Sequence, residues 1–323
     1  MLRNYPNKLK TVDVFSETKI ATQVGAIIVT YRPDREKLAA LLGAIANQVG
    51  AIVIVDNTES THQVADLPLL AQEHHAQWIS LGENLGIAAA QNRGIEYLKH
   101  HLKMEYVLFL DHDCLPHAGM VRALLKGFFT QTEAGYRVGA VGPNNCIPKL
   151  GTSAPFFQVG WLRTRRLYCS FANQLIATDH LISSGTLTPL SVLEEVGLFR
   201  EDLFIDYVDV EWYLRVLQKG YTLWGVCAAT MDHDLGDEPI MILGRPIFSH
   251  SPLRHYYLIR NGIALYQAPY LPLKWKCSDA RRLLSKCVFY LLFSKPRLAH
   301  LRMMGRGLWH GVTGRLGKGN PTL

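Results

Sequence analysis

The chain has 323 residues, 48% hydrophobic and 19% charged, with 34 Lys+Arg against 27 Asp+Glu. That length can bury a large α/β core, and no run reaches the ~18 consecutive apolar residues of a membrane-spanning helix. Six scattered cysteines (114, 146, 169, 227, 277, 287) lack C-x-x-C spacing, which excludes a zinc site or disulfide frame and predicts reduced thiols in a cytosolic protein.

Residues 1–23 are polar, lack the apolar core of a signal peptide, and read as a peripheral segment. Residues 25–30 (GAIIVT) form a first buried strand, and 35–48 carry helical spacing through Leu38, Leu41, Leu42 and Ile45. Strands follow at 51–55, 78–81, 107–110 and 138–141, separated by helices at 87–100 and 120–129. This alternation predicts right-handed βαβ crossovers and a largely parallel sheet. Residues 143–180 are irregular, rich in aromatics and turn formers.

The apolar run 107–110 stops abruptly at Asp111 and Asp113. Such a run reads as a strand buried on both faces, with its carboxylates at the sheet edge where open α/β folds bind ligands. Two hard anionic donors suit Mg²⁺ or Mn²⁺ and, beyond the ion, a diphosphate; capping of a turn is the plainer alternative. Asp56 ends the second strand likewise, and could accept from a pyrimidine N3–H or a ribose hydroxyl, or simply turn the chain before Asn57.

Residues 84–94 (NLGIAAAQNRG) carry neither the dinucleotide glycine fingerprint nor a P-loop. Gly86 and the alanines after it permit close approach of a ligand, or plain helix–sheet packing. Val210, Tyr213, Leu214 and Leu217 predict a helix starting near Asp209 and stopping at Gly220. Asp209 is then an N-cap, or a base whose pKa is lowered by the helix dipole and raised by burial. His233, after the apolar segment 223–226, is either structural or a third metal ligand, an imidazole suiting Mn²⁺ better than Mg²⁺.

Charge is uneven. From Gly262 onward eleven Lys/Arg face one acid, Asp279, a net of +10, while the rest of the chain nets −3. The basic pI therefore belongs to the tail, and no nucleic-acid partner is expected. In the tail Leu283, Leu284, Cys287, Val288, Leu291 and Leu292 give a helical apolar face flanked by Arg281, Arg282, Lys286 and Lys295. Such a helix lies on an anionic membrane surface, or packs on the body with its charges solvated.

Taken in order, VTYRP, IVDNTES, NLGIAAAQNRG, LFLDHDC, SSGTLTPLSVLEEVGLFREDLFIDYVDVEWYLR, DHDLG and HYYLIRNG resemble the inverting GT-A glycosyltransferases of family 2, specifically the bacterial rhamnosyltransferase-like branch. The resemblance implies a GT-A fold over 24–262, Rossmann-like with a mostly parallel sheet flanked by helices, and then a basic amphipathic helical extension over 263–323. It implies metal ligation by Asp111, Asp113 and His233, with His112 where glutamine is more usual. It implies donor binding by Thr30, Tyr31, Asp56, Asn84, Gly86, Asn92, Asp111, Ser184, Gly185 and Arg260, where Arg260 and Arg254 either pair with the diphosphate or merely brace the sheet. Asp209 takes the catalytic base's place, Glu211 is its rival, and Asp206 is a third choice.

The activity implied is Mg²⁺- or Mn²⁺-dependent single displacement from a nucleotide-diphospho-sugar. Its simplest form moves L-rhamnose from dTDP-L-rhamnose to a lipid-linked glycan in bacterial surface polysaccharide synthesis (O-antigen, capsule or exopolysaccharide). UDP-galactofuranose or a UDP-hexose is the alternative donor. A non-catalytic membrane-associated scaffold on a degenerate transferase fold is the reading from another class. The expected location is cytoplasmic, peripheral on the inner face of the bacterial cytoplasmic membrane.

Overall fold

In the computed structural model, residues 21–62, 65–161, 164–233, 239–242, 245–248 and 251–319 are described. Residues 1–20 of the expected peripheral segment, and Asp234 of DHDLG, lie outside them. The first half runs β1 (Val24–Thr30), α1 (Arg35–Ile45), β2 (Ala51–Asp56), α2 (Leu67–Glu73), β3 (Gln77–Ser80), α3 (Ile87–Tyr97), β4 (Tyr106–Asp111), β5 (Cys114–Pro116), α4 (Met120–Glu133) and β6 (Val138–Ile147). The second adds β7 (Thr152–Ser153), β8 (Phe156–Val159), β9 (Thr164–Leu167), β10 (Leu175–Thr178), β11 (Leu187–Pro189), α5 (Leu190–Val196), α6 (Val208–Gln218), β12 (Thr222–His233), β13 (Pro239–Ile242) and β14 (Arg245–Phe248). Three helices close the chain: α7 (Pro252–Gln267), α8 (Leu273–Phe293) and α9 (Arg297–Val312).

The main sheet has the order β10-β12-β6-β11-β4-β1-β2-β3. Strands β3, β2, β1 and β4 are mutually parallel, as the alternating pattern requires. Val107 to Leu110 are all buried because β4 lies mid-sheet with helices on both faces. Phe109 faces a core shared with α3, α5 and α6, while Leu108 and Leu110 face one shared with α1 and α4. Helix α1 starts where Asp34 accepts from the amides of Glu36 and Lys37, at 2.9 and 3.0 Å. It ends at Ile45, short of the expected Gln48.

Strand β11 was not legible. Only three residues long, it slots antiparallel between β4 and β6 and interrupts the parallel order. The cysteine reading is corrected as well: Cys169 and Cys227 form a disulfide that ties the segment before β10 to β12, while Cys114, Cys146, Cys277 and Cys287 are free. The two partners lie 58 residues apart in unrelated motifs, so spacing gave no sign of the pairing.

The basic tail is built into the body. Helix α7 runs unbroken through residue 262, where the charge asymmetry had suggested a boundary. Gly307 and Gly311 let α9 lie directly on α7, since a Cβ there would meet the carbonyl oxygens of Tyr256 and Arg260 at 2.6 and 2.7 Å. The apolar face expected of α8 divides in two: Leu283 is buried, whereas Leu284, Val288 and Leu292 are exposed. Among the described residues no helix is long and apolar enough to cross a membrane.

Candidate functional site

Three parallel strands end at one edge. Thr30 is level with Asp56, and Val29 with Asp111. Strand β11 begins at that edge, so the Ser184 hydroxyl accepts from the Asp111 amide at 2.9 Å and the Gly185 amide donates to the Phe109 carbonyl at 2.7 Å. The last residue of β12, His233, pairs in register with Cys114, just beyond Asp113. Ladder register alone thus brings an imidazole from far along the chain to the two aspartates.

His233 Nε2 lies 3.7 Å from Asp111 Oδ2 and 4.0 Å from Asp113 Oδ1, and one ligand atom from each residue falls within 4.8 Å of the others. These distances are too long for hydrogen bonds and suit three donors around one ion at roughly 2.0–2.2 Å. Burial pushes the Asp111 carboxyl up, His233 opposes this, and Asp113 adds to it. Two carboxylates held this close favour a cation between them. The donor set, two oxygens and one imidazole, fits Mn²⁺ or Mg²⁺.

These residues open on a cavity of about 630 Å³, whose lining includes Thr30, Tyr31, Asn84, Gly86, Asp209 and Arg254. Asn57 and Asn84 brace one another there. Asn57 Nδ2 donates to Asn84 Oδ1 at 3.1 Å, and the Leu85 amide donates to Asn57 Oδ1 at 2.8 Å. Gly86 is held at φ +91°, where an added Cβ would lie 2.5 Å from the Phe204 carbonyl oxygen. Gly86→Ala is therefore expected to lower the melting temperature by several degrees and to weaken nucleotide binding about tenfold, read by thermal melt and titration together.

The opposite wall is the segment before α6. Phe204, Asp206 and Tyr207 are non-glycine residues at φ 66°, 63° and 65°. Three positive-φ positions among four residues are costly, each on the order of 1–3 kcal/mol. What holds them is the pair Arg260–Asn261 on α7. Asn261 Nδ2 donates to the carbonyls of Leu203, Ile205 and Asp206 at 2.9, 2.8 and 3.0 Å. Arg260 donates to the carbonyls of Leu203 and Gly317, and its guanidinium stacks on Tyr257.

Asp209 lies in the first turn of α6 and lines the cavity; it is not the N-cap, a position Tyr207 occupies. Its carboxylate accepts from the Val210 amide at 2.8 Å. Burial raises its pKa to about 6, opposed by backbone hydrogen bonds and reinforced by the negative charges of Asp206 and Asp111. Of the two influences weighed from sequence, desolvation outweighs the helix terminus.

Several expected site residues are elsewhere. Glu211 is fully buried on the far side of α6, bound by Arg215 at 2.9 Å and by the Tyr270 hydroxyl at 2.7 Å, so it has no route to an acceptor. Arg260 is fully buried in its clamp and does not face the cavity. Asn92 spends its amide on the Phe199 carbonyl and Glu201. Ser184 and Gly185 lie behind the lining, where Ser183 and Ile182 take the exposed places. Asp56 is buried beneath the lining, its Oδ1 accepting from the hydroxyls of Thr30 and Thr58 at 2.9 and 2.7 Å. Sequence reasoning missed Asn57, Ser183, Phe204 and Ile205. The first two adjoin named residues and needed only the register, while the apolar wall carries no chemical signal.

Comparison with known proteins gives the geometry a family. Residues 26–182 match the model of glycosyl transferase family 2. The chain is 28% identical over 302 residues to the dTDP-rhamnosyl transferase RfbF of Shigella flexneri, covering 92% of this chain and 98% of that protein. It is 25% identical over 209 residues to the low-salt glycan biosynthesis hexosyltransferase Agl10 of Haloferax volcanii, 62% of this chain and 63% of that one. Among solved structures it resembles GalNAc-T7 with UDP, GalNAc and Mn²⁺ (TM-score 0.54, 12% identity, 84% of this chain and 58% of that one). It also resembles residues 1–349 of S. aureus TarS (TM-score 0.53, 14% identity, 90% of this chain and 81% of that one). Residues 26–182 are thus a glycosyl transferase family 2 domain, the chain has the GT-A fold, and its sequence is rhamnosyltransferase-like.

Proposed function

We propose that the protein transfers L-rhamnose from dTDP-L-rhamnose to a lipid-linked glycan in bacterial surface polysaccharide synthesis, by a single inverting displacement. The observation that carries this reading is one cavity holding both the Asp111–Asp113–His233 cluster and a separate, partly desolvated carboxylate, Asp209. A divalent cation bound by the cluster would neutralise charge building on the leaving diphosphate. Asp209 takes the acceptor hydroxyl proton as that oxygen bonds to the anomeric carbon and the bond from that carbon to the diphosphate breaks. Thr30, Tyr31, Asn57, Asn84 and Gly86 would hold the nucleotide at the ends of β1 and β2, with Asp56 fixing Thr30 from below.

The electrostatics support a cation-dependent donor site. Asp111, Asp113 and Asp209 face the cavity, and its Arg254 is already engaged with Asp206 at 3.4 Å. An anionic donor would be repelled without a further positive charge. The exposed apolar row of α8 among basic residues supports a place on the cytoplasmic face of an anionic membrane.

Titrating the protein with dTDP, UDP and GDP, each with Mn²⁺ and with EDTA, tests the donor. Metal-dependent preference for dTDP is the expected result. Preference for UDP would favour a hexosyl donor, the second reading, which the likeness to a hexosyltransferase supports. His233→Ala is expected to weaken Mn²⁺-dependent nucleotide binding tenfold or more while leaving the melting temperature within a few degrees.

A further inference from the structure

A second cavity, of about 520 Å³, lies across α6 from the first. Asp209 opens on one cavity and its neighbour Val210 on the other; Ile182 lines the first and His180 the second. The second is walled by Phe157, Arg166, His180, Trp275, Arg281 and Arg282. Its acid, Asp279, is consumed internally, accepting from the hydroxyls of Tyr207 and Tyr266 at 2.6 and 2.7 Å and from Arg282 at 2.6 Å. Arg166 and Arg281 are exposed and have no acidic partner among the described residues. His180 stacks on Phe157 at 4.8 Å with an interplanar angle of 7°, and burial lowers its pKa to about 4, so it offers an uncharged flat surface.

Helix geometry continues the site outward. Arg281, Leu284, Val288 and Leu292 recur at i, i+3, i+7 and i+11, which places them on one stripe of α8 about 16 Å long. The three leucine and valine positions are 51–66% exposed. A cationic pocket thus stands between the acid of the reaction site and an outward apolar row. Inward, Lys286 feels Arg282 and Arg254 together with their acidic partners Asp279 and Asp206, so charge of both signs separates the two cavities and the unpaired cations, among the described residues, are the outward Arg166 and Arg281.

We infer that this second cavity binds the phosphate groups of an amphiphilic acceptor. Arg166 and Arg281 grip the anion, the glycan points past Val210 toward Asp209, and the hydrocarbon runs along Leu284, Val288 and Leu292. Guanidinium groups suit phosphate oxygens because they donate in pairs. The inference rests on the lipid-linked acceptor proposed above and assigns it a place.

Farnesyl diphosphate, farnesol and inorganic pyrophosphate, each titrated into the full-length protein in EDTA, test it against the double variant Arg166→Ala/Arg281→Gln. Both side chains are exposed, so the variant should fold, and a thermal melt checks this. Expected are farnesyl diphosphate binding tighter than either pyrophosphate or farnesol, and a tenfold or greater loss in the variant. Vesicles of phosphatidylglycerol, with phosphatidylcholine as control, separate the two phosphate sources. Loss of vesicle binding alone, with farnesyl diphosphate affinity unchanged, would make the pocket a phospholipid headgroup site and overturn the assignment. Equal affinities in wild type and variant, or no farnesyl diphosphate binding by wild type, would also overturn it. dTDP titrated with Mn²⁺ reports the first cavity separately: if dTDP binds and the diphosphate does not, only this inference fails, whereas loss of both removes the transferase reading beneath it.

Discussion

Asp209→Asn is expected to lower kcat roughly 10³-fold while changing the dTDP dissociation constant less than twofold. The amide keeps the shape, and can still accept from the Val210 amide as the carboxylate does, but it cannot take a proton. The wild-type pH profile should show an acid limb in which kcat falls tenfold per unit below about pH 6, the value to which burial raises Asp209. A bound divalent cation at Asp111 and Asp113 moves that limb lower, because positive charge favours the carboxylate. Any residual activity of the variant should lack the limb.

Stability should move the other way. A carboxyl group whose folded pKa lies above its unfolded value penalises the native state once ionised, and the penalty grows as pH rises from about 4 to 6. Two pK units correspond to roughly 3 kcal/mol, discounted here to about 1 kcal/mol because Asp209 opens on a solvent-filled cavity. Asp209→Asn should therefore melt at the same temperature as wild type or slightly higher at pH 7.5, and with no difference near pH 4. A variant that melts several degrees lower, or loses dTDP binding, would give Asp209 a structural or metal-site role instead.

How far the sequence carried depended on the range of the interaction. Strands β1, β2 and β4 declare themselves because four or more successive apolar residues buried on both faces leave no other arrangement. Asp111 and Asp113 follow directly, being fixed by where β4 stops. His233 needed a long-range fact, the pairing of β12 with β5, yet its place at a strand end was readable. Glu211 shows what one-dimensional reading cannot resolve. Two residues beyond Asp209 on a helix is about 200° around the axis, and that turns a rival base into the buried partner of Arg215. Arg260 fails for a related reason. A cation in HYYLIRNG, a segment resembling a family motif, suggested a diphosphate, but its partners are backbone carbonyls of a strained segment whose dihedral angles no local pattern announces.

That clamp yields the other large effect. Asn261→Ala removes the one side chain donating to three carbonyls between Leu203 and Asp206, and leaves them buried or half-buried beside an apolar methyl group. Arg260 still serves Leu203, so about two acceptors are orphaned at roughly 1–2 kcal/mol each. The expected loss of stability is about 2–4 kcal/mol, or roughly 3–6 °C in melting temperature for a chain of this length. The positive-φ residues Phe204, Asp206 and Tyr207 are then free to relax, and the wall facing Asp209 moves with them. Misplacement by about 1 Å costs on the order of 10²-fold in rate, so kcat should fall by that factor. The signature separating this from loss of the base is the pH profile. Asn261→Ala should keep the acid limb, because the carboxylate and its burial persist, whereas Asp209→Asn removes it. A variant that melts like wild type with unchanged kcat would show that the positive-φ segment is held by Tyr207 and its bond to Asp279 rather than by α7.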